Sequence, residues 1–135
     1  MNKIFSASFE ELPDMLQFIL MEVKKAGFNE DLVFNIELAL EEALVNIIQH
    51  GYSKQKGLID LSCISLLEEG IKIIVKDTGI PYNPLERAEV IKTQVREEFP
   101  LGGYGIYLIL KIMDEVHYQH AEGYNVLTLI KFLRN

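Results

Sequence analysis

Helical and strand-like hydrophobic periodicities follow one another along this chain in an order that few architectures can accommodate. Two helical segments come first, then a predicted hairpin, a long polar segment, a third helix and a second hairpin. The predicted elements are a strand at 4–7, helices ending at Gly27 and near His50, strands at 58–67 and 71–76, a helix at 104–113, and strands at 115–121 and 124–132. The order β-α-α-β-β-loop-α-β-β predicts an α+β fold, with helices packed on one face of a mixed, mostly antiparallel sheet.

The boundaries of the first two helices carry capping signals. Ser8 and Glu11 have the Ser-x-x-Glu spacing of a capping box before the first helix. Asn29 precedes the second helix, with two acidic residues in the first turn, where the helix dipole favours negative charge. Gly27 and Gly51 follow the last apolar residue of each stripe and are expected helix stops.

Length and charge narrow the classes of function. A chain of 135 residues that is 49% hydrophobic suits one compact domain, residues 1–135. The 13 Lys and Arg residues are scattered and face 20 Asp and Glu residues, so we expect no direct nucleic-acid partner. One cysteine, Cys63, cannot form a disulfide within the chain, and no apolar run approaches the ~20 residues that span a bilayer. We therefore expect a cytoplasmic protein without a membrane segment.

A polar pair interrupts the apolar second helix. Glu42 and Asn46 lie four residues apart, so both side chains project from one face. An amide oxygen is a hard ligand suited to Mg²⁺, and a carboxylate one turn away can accept a proton from an attacking hydroxyl or water. The same spacing also occurs on ordinary solvated helix surfaces, and Glu41 is a rival carboxylate for the role of base.

A second motif follows the predicted strand at 71–76. Asp77, Gly79 and Pro81 form an Asp-x-Gly-x-Pro sequence. An Asp at a strand end can accept a hydrogen bond from an exocyclic amine such as that of adenine, and glycine lets a ligand approach the backbone closely. The alternative is an ordinary turn, since Asp, Gly and Pro are common turn formers.

A third motif opens the predicted helix at 104–113. Gly103 and Gly105 free the first backbone N–H groups of this helix to face an anion, and the helix dipole favours phosphate there. A flexible hinge would have the same sequence. The chain has neither the strand-first dinucleotide fingerprint nor a Gly-Lys-Ser/Thr phosphate loop.

In this order, the three motifs resemble the N, G1 and G2 boxes of the GHKL ATPase/kinase superfamily, and the resemblance covers nearly the whole chain. Residues 46–52 and 105–116 resemble in particular the anti-sigma-factor serine/threonine kinases. The resemblance implies a Bergerat-type two-layer sandwich that binds ATP or ADP with Mg²⁺, with an ATP lid at about 84–101. It also implies that Glu42 is the general base, Asn46 the Mg²⁺ ligand and Asp77 the adenine reader. The further residues implied to contact nucleotide are Gly79, Pro81, Gly103, Tyr104, Gly105 and Ile106.

The chain departs from the family pattern at two places. The family often has Gly-Thr-Thr in its last hairpin, whereas residues 123–125 are Gly-Tyr-Asn, so a polar contact near the adenine falls to Asn125 or Thr128. The basic residue usual before the last glycines is also absent. Three basic residues remain candidates for a phosphate contact: Arg87, Lys92 and Arg96.

Two functions fit the resemblance. The first is a serine/threonine protein kinase that acts as an anti-sigma factor and phosphorylates a STAS-type antagonist in a partner-switching system, with a sigma factor as a further partner. The second is a nucleotide-gated protein-binding switch without kinase activity. The presence of Glu42 favours the kinase. A homodimer is also implied by the family, whereas an ATP-driven machine is disfavoured because we expect no second domain for hydrolysis to drive.

Overall fold

A computed structural model describes residues 1–52, 56–81, 83–85 and 104–133. The strands in this part of the chain are β1 (Asn2–Ser6), β2 (Leu58–Ser65), β3 (Gly70–Asp77), β4 (Glu115–Ala121) and β5 (Tyr124–Phe132). The α-helices are α1 (Leu12–Lys25), α2 (Glu30–Asn46) and α3 (Tyr104–Ile112). A 3-10 turn, Phe9–Glu11, precedes α1, and a π-helical turn, Ile47–Gly51, follows α2. Within the described ranges, no helix is long and apolar enough to cross a bilayer.

The strands form one sheet in the order β1-β2-β3-β5-β4, and each pairing between neighbours is antiparallel. Two hairpins, β2–β3 and β4–β5, meet along the central pairing of β3 with β5. This central pairing sets Asp77, the last residue of β3, directly opposite Asn125. The predicted α+β architecture is confirmed, and its register brings two candidate site residues together.

The helices cover one face of the sheet. Alternate residues of β2, β3 and β5 are buried, which is the pattern of a sheet with one covered face. Their side chains pack with those of all three helices in a single core. The large side chains that are almost completely buried include Met15, Ile19, Ile36, Leu40, Leu44, Ile73, Ile109 and Leu129. Of the strand residues, those on the helix-covered face are therefore the ones that can line a pocket between the two layers.

The capping signals had different outcomes. Asn29 caps α2 as expected, because its side-chain oxygen accepts a hydrogen bond from the Leu32 N–H at 2.9 Å. The capping box at Ser8 and Glu11 was a wrong prediction, since the Ser8 side chain makes no capping bond and Glu11 accepts from the Ser6 N–H at 3.2 Å. Ser8 precedes the tighter 3-10 turn as its N-cap residue instead, and α1 itself starts after that turn, with a proline in its first turn.

The second helix changes geometry where the first motif ends. The sequence predicts a helix to about His50, but regular α-helix stops at Asn46 and a π-helical turn continues it. The Tyr52 N–H closes this turn by donating to the Ile47 carbonyl at 3.2 Å. Such widened turns are frequent at functional sites. Here the turn carries Gly51 and Tyr52 against the residues that follow β3.

The single cysteine is a core residue. Cys63 is 5% exposed on the helix-covered face of β2. Burial raises the pKa of its thiol to about 11, and the Glu22 carboxylate acts in the same direction. The group therefore remains a neutral thiol at physiological pH and packs as a small hydrophobic side chain.

Candidate functional site

A pocket lies between the helices and the sheet at the end of β3. It is bounded by the last turn of α2, by the π-helical turn, by the residues after β3, and by β4 and β5. Its volume is about 490 Å³ with its open mouth included. The polar residues of its lining are Asn46, Asp77, Tyr118 and Asn125. Two of the three sequence motifs therefore open into the same pocket.

Asp77 has one carboxylate oxygen bonded within the protein and one that is open. Its Oδ1 accepts from the Gly79 N–H at 2.8 Å and from the Asn125 side-chain amide at 2.9 Å. Its Oδ2 accepts no hydrogen bond from the described residues. This oxygen retains contact with solvent, because no fully buried side-chain oxygen in that part of the chain lacks a partner. An open carboxylate oxygen in a largely apolar pocket suits an amine such as that of adenine.

Asn125 is 5% exposed and uses both ends of its amide. Its Nδ2 donates to Asp77 Oδ1 and, at 3.1 Å, to the Gly79 carbonyl. Its Oδ1 accepts from the Tyr118 hydroxyl at 2.6 Å and lies 3.0 Å from His120 Nδ1. A carboxylate and a carbonyl can only accept, so the amide has one possible orientation. That orientation determines which Asp77 oxygen remains open to the pocket.

Gly79 lies directly against the backbone of Gly51. A Cβ built on Gly79 would lie 2.5 Å from the Gly51 carbonyl oxygen, and the Ile80 N–H donates to that same oxygen at 2.8 Å. A backbone carbonyl in a closed turn cannot swing aside as a side chain can. Residue 79 must therefore be a glycine, because the backbone of Gly51 leaves no room for a Cβ. The hydrogen bond from the Ile80 N–H also links the turn after Asp77 to the end of the π-helical turn.

Glu42 lies beside the first turn of α3. A Cβ built on Gly105 would lie 2.5 Å from Glu42 Oε1, so the first and third motifs meet. Because α3 begins at Tyr104, the helix offers no partner to the N–H groups of Gly105 and Ile106. These groups and the helix dipole favour an anion, either a phosphate or the Glu42 carboxylate itself. Asn46 is one turn further along α2 and lines the adjoining pocket.

Thr128 lies away from the pocket, which corrects its assignment as an adenine contact. Asn125 and Leu127 line the pocket, whereas Thr128 sits one residue further along β5 on the opposite face. It is paired there with Ile74 and His117. The two-residue period of a strand thus leaves the polar contact of this hairpin to Asn125.

Other expected contacts lie at the margin of the site or outside the described residues. Pro81 is exposed and does not line the pocket. The Ile106 side chain is 3% exposed and belongs to the core, so only its backbone can meet a ligand. Gly103 and all but the first two residues of the expected lid at 84–101 lie outside the described residues, including Arg87, Lys92 and Arg96. For Tyr104 the structure describes the backbone alone.

Sequence reasoning did not find two polar neighbours of Asn125. In the β4–β5 register, His120 is opposite Asn125 and Tyr118 is opposite Leu127, so both side chains share the helix-covered face. The predicted hairpin already contained this register, because strand residues two apart face the same side. The same alternation places His117 on the other face, opposite Thr128.

The chemistry of the site fits a nucleotide with its own magnesium better than a resident metal. No group of three or more His, Cys, Asp or Glu residues that could hold a metal ion occurs in the described parts of the chain. Mg²⁺ commonly takes one or two protein oxygens and completes its shell with substrate phosphates and water. Asn46 can supply one such oxygen from the lining of the pocket, one turn along α2 from Glu42.

Relatives of known name match most of the chain. It is 32% identical over 111 residues to the serine-protein kinase RsbW of Bacillus mycoides (strain KBAB4). It is 34% identical over 109 residues to the protein of the same name in Bacillus thuringiensis subsp. konkukian (strain 97-27). Each alignment covers 76% of this chain and 66% of the relative. The chain thus spans just under two thirds of the length of these relatives.

Solved structures share the fold. The histidine kinase domain of the Erythrobacter litoralis EL346 blue-light activated histidine kinase aligns with a TM-score of 0.56 and 19% identity, covering 90% of this chain and 61% of that chain. The Acinetobacter baumannii histidine kinase AdeS aligns with a TM-score of 0.53 and 12% identity, covering 100% of this chain and 68% of that chain. The model of the family described as histidine kinase-like ATPase domain matches residues 5–131. The chain belongs to this family.

Proposed function

We propose that this protein is an ATP-dependent serine/threonine protein kinase that acts as an anti-sigma factor in a partner-switching system. The observation that carries the proposal is the convergence of Glu42, Asn46, Asp77 and Gly105 around one pocket and the adjoining helix N-terminus. The relatives named serine-protein kinase support the choice of a protein hydroxyl as the phosphate acceptor.

In the proposed binding mode, the adenine enters the pocket at the end of β3. Asp77 Oδ2 accepts from the adenine amine, while Gly79 allows the base to approach the backbone. The phosphates then extend toward the N-terminus of α3, where the Gly105 and Ile106 N–H groups and the helix dipole favour negative charge. Asn46 would hold a Mg²⁺ ion, whose charge would offset that of the phosphates.

Phosphoryl transfer in this arrangement depends on positioning. The substrate hydroxyl oxygen forms a bond to the γ-phosphorus as the bond from that phosphorus to the ADP oxygen breaks. Glu42 accepts the hydroxyl proton, with Glu41 as the rival carboxylate. Because the Glu42 carboxylate reaches the N-terminus of α3, the base lies close to where the phosphates would be bound.

The proposed partners are proteins. The substrate is a serine or threonine of a STAS-type antagonist, and a sigma factor is the second partner. The protein acts as a cytoplasmic homodimer, with residues 1–135 as one kinase domain and no direct contact with nucleic acid or membrane. The net charge of −7 agrees with the absence of a nucleic-acid partner.

A nucleotide-gated switch is the second candidate, because such a protein would use the same pocket and differ in the role of Glu42. The decisive experiment incubates the purified protein with labelled ATP, Mg²⁺ and candidate STAS proteins. Label transferred to a serine or threonine of the partner supports the kinase. A partner that binds in a nucleotide-dependent manner and never acquires label supports the switch.

A further inference from the structure

Tyr52 is a buried residue at the end of the π-helical turn with no role in the mechanism above. Its side chain belongs to the core, and its ring lies so close to Gly57 that no Cβ could be accommodated there. Its hydroxyl donates to the Leu58 carbonyl at 2.6 Å and accepts from the Thr78 N–H at 2.8 Å. One phenol thus joins the start of β2 to the turn that follows β3.

The directions of the bonds at this phenol are determined by chemistry. The Thr78 hydroxyl also lies 3.2 Å from the Tyr52 hydroxyl. Tyr52 has a single hydroxyl proton, which the Leu58 carbonyl receives because a carbonyl can only accept. Thr78 is therefore the donor in both of its contacts, and the phenol is a double acceptor for the residue next to Asp77.

The turn after Asp77 has three successive N–H groups, each held by a different group. Besides the Thr78 bond to the phenol, the Gly79 N–H donates to Asp77 Oδ1 and the Ile80 N–H donates to the Gly51 carbonyl, each at 2.8 Å. Two of these three acceptors belong to consecutive residues at the end of the π-helical turn. The hydrogen bonds to Gly51 and Tyr52, at the end of the π-helical turn, thus help to determine the direction in which the open oxygen of Asp77 points.

We propose that Tyr52 is a positioning residue for nucleobase recognition, which acts through Thr78 to hold the Asp77 carboxylate against the 6-amino group of a purine. The inference rests on the proposed function, because it requires that the pocket bind an adenine nucleotide. Without the phenolic hydroxyl, the Thr78 N–H loses its acceptor and the turn gains freedom, so the open oxygen of Asp77 discriminates less sharply.

The test compares two nucleotides on Tyr52→Phe, which deletes the hydroxyl and retains the ring against Gly57. ADP carries the 6-amino group, whereas purine riboside 5′-diphosphate lacks it. Calorimetry should show that ADP affinity falls about tenfold, the effect of one hydrogen bond, while affinity for the analogue falls less than about twofold. Tyr124→Phe is the matched control, since it deletes the phenolic hydroxyl of a residue that is 43% exposed on the open face of the sheet. It should alter neither affinity.

A purely structural role for Tyr52 would lower both affinities by the same factor, and that result, or two unchanged affinities, overturns the proposal. If Tyr52→Phe does not fold, amide exchange at Thr78 in the nucleotide-free wild-type protein decides. Slow exchange supports the bond to the phenol, and exchange at the rate of an unprotected amide overturns it. If the wild-type protein binds neither nucleotide, the proposed function itself is overturned. If the wild type binds nucleotide and Tyr52→Phe prefers ADP over the analogue by the same factor as the wild type, only the positioning role is overturned.

Discussion

Replacing Asp77 with Asn changes one group in the pocket, and the hydrogen bonds around the side chain determine which group it is. The existing Oδ1 position faces two donors, the Gly79 N–H and the Asn125 amide, so the oxygen of the new Asn must stay there. The new NH₂ group must then take the place of Oδ2, facing the pocket. Asp77→Asn therefore puts a donor where the adenine amine also donates.

The expected loss follows from that geometry. A hydrogen bond to a charged acceptor is worth about 1.5–3 kcal/mol, and two opposed donors leave neither satisfied, so ADP affinity should fall about 10- to 150-fold. Inosine diphosphate has a carbonyl in place of the amine, which the new NH₂ can approach as a donor. Its affinity should hold or rise. Calorimetric titration of both nucleotides measures the two effects directly.

Asp60→Asn is the matched control for this change. It alters the net charge by the same amount on the open face of β2, where Asp60 accepts from Asn2 at 3.2 Å. Its affinities for ADP and inosine diphosphate should equal those of the wild type, since the Asp60 side chain lies on the face of the sheet opposite the pocket. An Asp77→Asn protein that binds ADP as the wild type does, or that loses both nucleotides by one common factor, would refute the assignment of Oδ2 to the adenine amine.

Three further expectations concern the phosphate side of the site. Glu42→Gln should leave nucleotide and partner binding unchanged and slow phosphoryl transfer at least about tenfold. Removing a general base costs ~10²–10⁴-fold in rate, and less where the transition state is loose. Glu41→Gln is the control, and slow transfer by Glu41→Gln together with a normal rate for Glu42→Gln would make Glu41 the base. Gly105→Ala puts a Cβ 2.5 Å from Glu42 Oε1, which is the mobile end of a side chain and can move away. The protein should therefore fold with an unreduced melting temperature but transfer phosphate slowly. A normal transfer rate would show that catalysis does not require the Glu42 carboxylate beside Gly105. Asn46→Ala should make ADP affinity nearly the same with Mg²⁺ and with a chelator, and a Mg²⁺ dependence equal to that of the wild type would remove Asn46 from the metal.

Local signals were sufficient to predict the elements of this fold. The second hairpin was predicted at residues 115–121 and 124–132, which are the bounds of β4 and β5. The reason is the two-residue turn between them, where Glu122 and Gly123 have φ values of 56° and 83°. Two positive φ values match the right-handed twist of the flanking strands, and glycine adopts one at no steric cost. Alternating apolar residues on either side then fix the register.

The parts of the site that the sequence did not reveal depend on contacts between distant segments. The capping box failed because a 3-10 turn, which local spacing does not distinguish from a helix start, intervened before Pro13. The π-helical turn after Asn46 was likewise invisible, since the apolar stripe through Ile47 and Ile48 continues at ordinary helical spacing. Only the folded chain shows that this widened turn brings the Gly51 carbonyl to the Ile80 N–H. The motifs therefore predicted which residues form the site, but they did not predict the hydrogen bonds that hold those residues in position.

The Asn125 position shows how a departure from the family motif can be accommodated. A threonine hydroxyl rotates to suit its neighbours, whereas an amide presents a donor and an acceptor at fixed ends and must be oriented correctly. In this chain Asn125 Nδ2 donates to Asp77 and to the Gly79 carbonyl, and Asn125 Oδ1 accepts from the Tyr118 hydroxyl at 2.6 Å. An amide flipped end for end would place its oxygen against the Asp77 carboxylate, and a buried acceptor facing an acceptor is costly. The two groups that can only accept, the Asp77 carboxylate and the Gly79 carbonyl, therefore orient the Asn125 amide, and the Tyr118 hydroxyl donates to the oxygen at the other end of that amide.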